Sequence, residues 1–388
     1  MKSIGLKCMC VILVSYISVL TLSSCKQKNN DNLLKKNSIS GISGAVNSIV
    51  NYDNLKVDTA FKMPEIDKLY TFSIYNKIVH NENEDAEVNI KAKKELCTLV
   101  KNYSGKKINE EEIEFEVTHD NTNSYVDFYY NDSDSDLAYT YSTNGSFVIA
   151  DTSIYNDVHN GECLSYAFIK DGKDVVLDKE ITGFSACDAL NLCNKKVVSK
   201  IVSLIPEDEL IPHSIASYKF EDGTYSYCII YAKKIKGLTL SEAGEYAYVD
   251  DGFIKPTFVC VQINDKKGIN SIINFYPNEY IESSFTEIDG DSFISIDDAI
   301  SLLSKYLAPE LQYSVQSIDL TYFLPTKLKK DSSELIYTKY IPGYEIVLDS
   351  KKSTISNLFP RKTAYIDIVT GDVYITDSID MIKFIYLD

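Results

Sequence analysis

Ile230-Tyr231-Ala232-Lys233-Lys234-Ile235-Lys236-Gly237 and Ile336-Tyr337-Thr338-Lys339-Tyr340-Ile341-Pro342-Gly343 agree at five of eight positions. The agreement extends outward from both. Upstream, Ser185-Ala186-Cys187-Asp188-Ala189-Leu190 matches Ser295-Ile296-Asp297-Asp298-Ala299-Ile300, each a serine with an acid three residues later. Such a serine accepts a hydrogen bond from the third helical N–H while the acid reaches back, so both stretches predict a helix N-terminus. Ser214-Ile215 with Phe220 then matches Ser317-Ile318 with Phe323, after helices that run out before Pro206 and Pro309. Downstream, Thr257-Phe258-Val259-Cys260-Val261 matches Thr363-Ala364-Tyr365-Ile366-Asp367. The offsets are 110, 103, 106 and 106 residues in chain order, which reads as a tandem repeat with small loop changes. Its unit is one helix followed by three or four strands. A helix laid across an antiparallel meander lets each element hide its one apolar side.

The expected fold class is therefore α+β, with a strand-rich domain at 55–178 followed by two tandem helix-on-antiparallel-sheet modules at 179–283 and 284–388. In the first domain Asp85 to Tyr103 predicts a helix whose Ile90, Leu96, Cys97, Val100 and Tyr103 share an apolar face. Glu112-Ile113-Glu114-Phe115-Glu116-Val117 alternates strictly and predicts a strand. Tyr125 to Tyr130, Leu137 to Tyr141 and Phe147 to Ala150 predict three more, bounded by Asn, Asp, Ser and Gly turn residues. Twenty-nine Tyr and 16 Phe with no Trp suit pleated, half-buried strand surfaces.

Residues 1–25 carry the three parts of an export signal: basic Lys2 and Lys7, an apolar run from Met9 to Leu22, and small residues before Cys25. The run is shorter than the ~20 residues that cross a bilayer as a helix, which favours cleavage. Leu22-Ser23-Ser24-Cys25 resembles the lipobox of bacterial lipoproteins, in which the cysteine thiol is acylated and becomes the new N-terminus. That resemblance implies a lipid on Cys25 and an anchorage on the outer face of the cell membrane. An ordinary secretory signal with an incidental Cys25 is the blander alternative. Residues 26–54 read as a flexible tether, the sequence to about Gly44 being too polar to form a core. Lys26, Lys28, Lys35 and Lys36 in it are placed to rest against anionic headgroups.

The net charge of −17 becomes −19 when Lys2 and Lys7 leave with an acid-free leader. Such a field repels polyanions, so nucleic acid is excluded as a partner. Beyond the leader and Cys25, six cysteines remain: Cys97, Cys163, Cys187, Cys193, Cys228 and Cys260. None has metal-ligand spacing, and His80, His119, His159 and His213 stand apart from them. Cys187 and Cys193 lie six residues apart on one helix, about 9 Å along its axis and beyond disulfide reach. Cys228 and Cys260, on neighbouring predicted strands, are the pair to test for a bridge.

The sharpest chemical candidate is a calcium loop from Glu287 to Asp298, with oxygens from Glu287, Asp289, Asp291, Ser295 and Asp298 at positions 1, 3, 5, 9 and 12. Ser292 stands where the sharp turn requires Gly, and Asp298 where a bidentate Glu belongs. A solvated turn followed by the Ser295 cap explains the same residues. The run Asn131 to Asp136 reads as a polar hairpin loop. No Gly-x-Ser-x-Gly, His-Glu-x-x-His or phosphate loop is present, so neither an enzyme nor a cofactor is expected.

Ser295 to Leu307, the strand at Ile318 to Leu324, Pro342-Gly343-Tyr344-Glu345-Ile346-Val347, and the segment Ala364 to Val373 with Thr370-Gly371 together resemble a PepSY-type domain. The first copy has Asp265-Lys266-Lys267-Gly268 at the place of that turn. As a whole the chain is similar to uncharacterised surface lipoproteins of Gram-positive, clostridia-like bacteria. The resemblance implies a non-catalytic lipoprotein that binds or regulates a membrane or wall protein, of the protease or sensor-kinase type. The competing expectation is ligand capture, with a peptide, glycan or ion held between the modules.

Overall fold

A computed structural model describes residues 36–37 and most of 50–377, leaving out 60, 62–63, 76–85, 120–123, 144, 155–160, 170–174, 199–208, 242–246, 250–251, 255–257, 267, 276–278, 281–283, 289–292, 310, 329–334, 338 and 351–360. Its centre is one mixed sheet of sixteen strands. In chain order these are β1 (Val50–Asn51), β2 (Leu55–Val57), β3 (Glu114–His119), β4 (Ser124–Asp132), β5 (Leu137–Ser142), β6 (Phe147–Asp151), β7 (Gly161–Phe168) and β8 (Glu209–Phe220). The remainder are β9 (Tyr225–Ile235), β10 (Leu238–Leu240), β11 (Phe258–Asn264), β12 (Ile269–Phe275), β13 (Tyr313–Phe323), β14 (Ile341–Ser350), β15 (Arg361–Asp367) and β16 (Val373–Asp377). Three α-helices are described: α1 (Ala86–Ser104), α2 (Ala186–Cys193) and α3 (Ile296–Tyr306).

One wing runs β7-β8-β9-β11-β12-β6-β5-β4-β3, every neighbour antiparallel. The other runs β10-β13-β14-β15-β16. The hairpin of β9 with β10 joins them, because β10 then lies parallel to β13 at Thr239–Thr321 and Leu240–Tyr322. This overturns the two tandem helix-on-antiparallel-sheet modules and the PepSY-like architecture. The physical reason is edge satisfaction: a small separate sheet leaves rows of backbone N–H and C=O groups unpaired, and joining edge to edge removes them. The joins reach across the whole chain. β6 pairs with β12, and β2 lies parallel to β13 from Leu55–Tyr313 to Val57–Val315.

Both wings bury one face beneath helices. Leu96, Leu99 and Val100 of α1, which lies against β4 and β5, and Ala189, Leu190 and Cys193 of α2, which lies against β9, share one core with Phe128, Tyr139, Tyr227, Ile229, Val261 and Ile272. Ile296, Ala299, Ile300 and Leu303 of α3 pack on Leu320, Tyr322, Tyr344, Ile346 and Ile366. Ile90, expected on the buried face of α1, is 47% exposed, and Ala92 and Leu99 are buried instead. Glu110–Glu112 makes a 3-10 turn, so the strand expected from Glu112 begins at Glu114.

The two serine caps form. Ser185 Oγ accepts from Asp188 N–H at 3.1 Å, as Ser295 Oγ does from Asp298 N–H at 3.1 Å. Each hydroxyl also donates to the aspartate it caps, at 2.8 Å in both. Asn54 Nδ2 closes the other end of α3, donating to the carbonyls of Ser304 at 2.9 Å and Leu307 at 3.2 Å. Ser295→Ala is expected to destabilise the fold by about 1 kcal/mol. An unchanged urea midpoint would mean that packing alone fixes the start of α3.

What recurs in the two wings is smaller than a module. Ile215 faces Ile229 as Ile318 faces Ile346, each pair just past a bulge, at Pro212/Ser214 and at Val315/Ser317. In that register Tyr227 corresponds to Tyr344. Tyr227 Oη donates to the carbonyl of Phe184 at 2.8 Å, and Tyr344 Oη to that of Ile294 at 3.0 Å. Each carbonyl belongs to the residue before the capping serine, so a strand tyrosine pins each helix start to the sheet. Ile230–Gly237 does not correspond to Ile336–Gly343. The first stretch is strand and turn, whereas the second includes the short strand Leu335–Tyr337, paired with Thr326–Leu328 outside the main sheet.

Candidate functional site

Strand alternation gives β10, β13, β14 and β15 a second face, opposite α3. Ser241, Thr321, Glu345, Thr363 and Tyr365 lie on it and are all buried. Tyr365 Oη donates to Glu345 Oε1 at 3.0 Å, and Ser241 Oγ donates to Tyr365 Oη at 2.7 Å. Glu345 Oε2 makes no hydrogen bond among the described residues. Burial pushes the Glu345 carboxyl up to about 7, assisted by Asp319 directly across in register, while the Tyr365, Thr321 and Ser241 hydroxyls pull it back. Phe323 stacks on Tyr365 at 5.1 Å between centroids and meets Tyr374 edge-on at 5.6 Å. The result is a carboxyl that changes charge near neutral pH inside an aromatic and hydroxyl setting. Asp319 is exposed, so the two acids do not form a buried catalytic pair.

The corresponding register position in the other wing, one residue before Ile229 as Glu345 is before Ile346, holds Cys228. Its sulfur lies 2.9 Å from that of Cys260, and both residues are fully buried on the second face with Ala216, Ile230 and Ile273. A third feature is the outer edge. Among the described residues β3 pairs only with β4, and Phe115 on it is 65% exposed between exposed Glu114 and Glu116.

Of the residues proposed from sequence, only some are described. Cys25, Asp289 and Asp291 lie outside the described residues. Glu287 takes an ion pair from Lys68 at 2.7 Å on the surface, and Ser295 and Asp298 are engaged with one another at the helix cap. Among the described residues no group of three His, Cys, Asp or Glu could hold a metal, and no helix is long and apolar enough to cross a membrane. Glu345 was hidden in a strand whose alternation invites an outward reading of any acid. The available signal was Val347, which shares its face and is apolar, so that face is not a solvent face.

No family model and no curated protein matches the chain. Among solved structures it is similar to an uncharacterized protein from Eubacterium rectale, determined by crystallography at 1.45 Å. The TM-score is 0.53 and the identity 15%, over 87% of this chain and 98% of that one. At that identity the likeness concerns the fold alone.

Proposed function

We propose that this chain is a lipid-anchored extracytoplasmic protein that performs no reaction of its own and holds a membrane or wall protein through the β3 edge. The observation that carries the reading is the backbone edge of β3, unpaired on its outer side among the described residues, with Phe115 two-thirds exposed beside it. Unpaired strand edges accept an incoming strand, whose backbone supplies affinity while alternate side-chain contacts supply selectivity. Glu114 and Glu116 alternate with Phe115, which suits a partner strand bearing basic and apolar residues in turn. Support for the location comes from the leader and from Leu22-Ser23-Ser24-Cys25.

A photo-reactive side chain placed at position 115 of the full-length protein, in its native host, tests the reading. It is expected to trap a membrane or wall protein, whereas the same group at exposed Tyr306 does not. Phe115→Ala is expected to weaken capture about tenfold or more, the effect of losing an aromatic anchor. Cys25→Ser is expected to shift the protein from membranes to the medium. Recovery of no membrane or wall partner at position 115 would sink the docking role, and a Cys25→Ser protein still held in membranes would sink the anchor.

A further inference from the structure

We propose that Cys228 and Cys260 are joined by a disulfide made while β9 and β11 come together. The two strands are antiparallel neighbours, with Cys228 facing Gln262 and Cys260 facing Ile230. The cysteines are thus diagonal neighbours on one face, and the twisted sheet brings their sulfurs to 2.9 Å. Non-bonded heavy atoms rest at about 3.5–4 Å, whereas bonded sulfurs lie about 2.05 Å apart. Diagonal neighbours sit near the ~7 Å upper limit of Cα separation for a disulfide, so closing the remaining gap needs the two strands to draw together at this point as well as side-chain rotation.

Timing follows from burial. Neither residue is exposed in the finished fold. Their mutual hydrogen bond, followed by burial, holds the Cys228 thiol well above its usual range, so the nucleophilic thiolate is suppressed there. The bond must therefore form before the face is sealed. In the open chain the Cys228 thiolate attacks one sulfur of an external disulfide and expels a thiol. The Cys260 thiolate then attacks the Cys228 sulfur of that mixed disulfide, makes the Sγ–Sγ bond and expels the second thiol. Each leaving group departs as a thiolate and takes up one of the two protons the cysteines gave up, so two cysteine thiols and one external disulfide become the Cys228–Cys260 bond and two thiols, which carry away the two electrons. Such oxidants act outside the cytoplasm, which agrees with the export reading, although the chemistry can be tested without it.

The other cysteines set the specificity. Cys193 lies on the opposite, helix-bearing face, Cys187 donates to the carbonyl of Val175 at 3.4 Å, and Cys97 packs beside α1's core residues. Cys163, half-buried against the same cluster as Cys228 and Cys260, is the one rival.

The full chain, reduced and unfolded, should be refolded in detergent with a mixture of oxidised and reduced glutathione, then unfolded in N-ethylmaleimide and mapped by mass spectrometry. The expected product links the Cys228 and Cys260 peptides, two hydrogens lighter, with Cys97, Cys163, Cys187 and Cys193 alkylated. Its melting temperature should exceed that of protein refolded with reductant, and a Cys228→Ala/Cys260→Ala chain should lose that difference. Alkylation of both Cys228 and Cys260 after oxidative refolding, or linkage of either to Cys163, overturns the proposal. Rapid oxidation of protein already folded in the reduced form overturns the timing.

Discussion

At pH 8 the Glu345→Gln protein is expected to be more stable than the parent by about 3 kcal/mol, a difference that vanishes near pH 4.5. Glu345 is 6% exposed, and burial raises its carboxyl from 4.5 to about 7. The unfolded chain releases this proton near 4.5, while the folded chain keeps it until about 7. Between those values the unfolded state binds fewer protons, so this group's contribution falls as pH rises. It is fully present below 4.5 and lost above 7, where the fold holds a buried charge with Oε2 unbonded among the described residues.

Glutamine keeps an oxygen for Tyr365 and stays neutral, so it removes the burial penalty and leaves the shape. Other acids also alter stability with pH, and comparing variant with parent cancels them where they do not touch Glu345. Urea midpoints at pH 4.5, 6 and 8 provide the measurement. A difference that stays constant across those three values would show that Glu345 does not titrate between them.

Helix starts were legible because they rest on local chemistry: Ser185 and Ser295 cap their helices through residues three positions away. The Thr370-Gly371 turn was legible for the same reason, with Gly371 at φ 77°. Sheet connectivity was not. That β10 lies against β13, and β6 against β12, is decided by which edges remain unpaired after local hairpins form, and no short stretch of sequence carries that information. The repeat misled where identity was highest. Gly237 has φ 92° and closes the β9–β10 turn, whereas Gly343 lies within β14 outside the left-handed region. One glycine serves backbone freedom and the other serves space, so five shared letters joined positions that differ in the fold. Tyr227 and Tyr344, each followed two residues later by an isoleucine, were the true counterparts. The candidate sites escaped for a related reason. Glu345 and Cys228 owe their character to burial of a second sheet face, which depends on the whole assembly.

Gly343→Ala is expected to destabilise the protein by about 3 kcal/mol, the upper range for forcing volume into a packed core. A Cβ at this position would lie 2.2 Å from Phe323 Cε1 and 2.8 Å from the backbone carbonyl oxygen of Ile366. The phenyl ring could yield only by leaving Tyr365, on which it stacks, and Tyr374, which it meets edge-on. The Ile366 carbonyl belongs to the neighbouring strand, two residues from the Ala364 that faces Ile346, and cannot move alone. Phe323→Leu in the same chain should recover part of the loss by removing the ring, but not all, because the carbonyl remains. The clash also acts on the carboxyl site. Displacing Phe323 loosens the ring stack over Tyr365, and Tyr365 is the donor that holds Glu345 Oε1. Loosening that donor lets the Glu345 carboxyl rise further, so the alanine protein should show a stronger pH dependence of stability between 4.5 and 7 than its parent. Urea unfolding of Gly343→Ala at both pH values decides the matter: a loss under 1 kcal/mol would mean that β14 and β15 separate easily at this point, and that the glycine is not there to admit the ring.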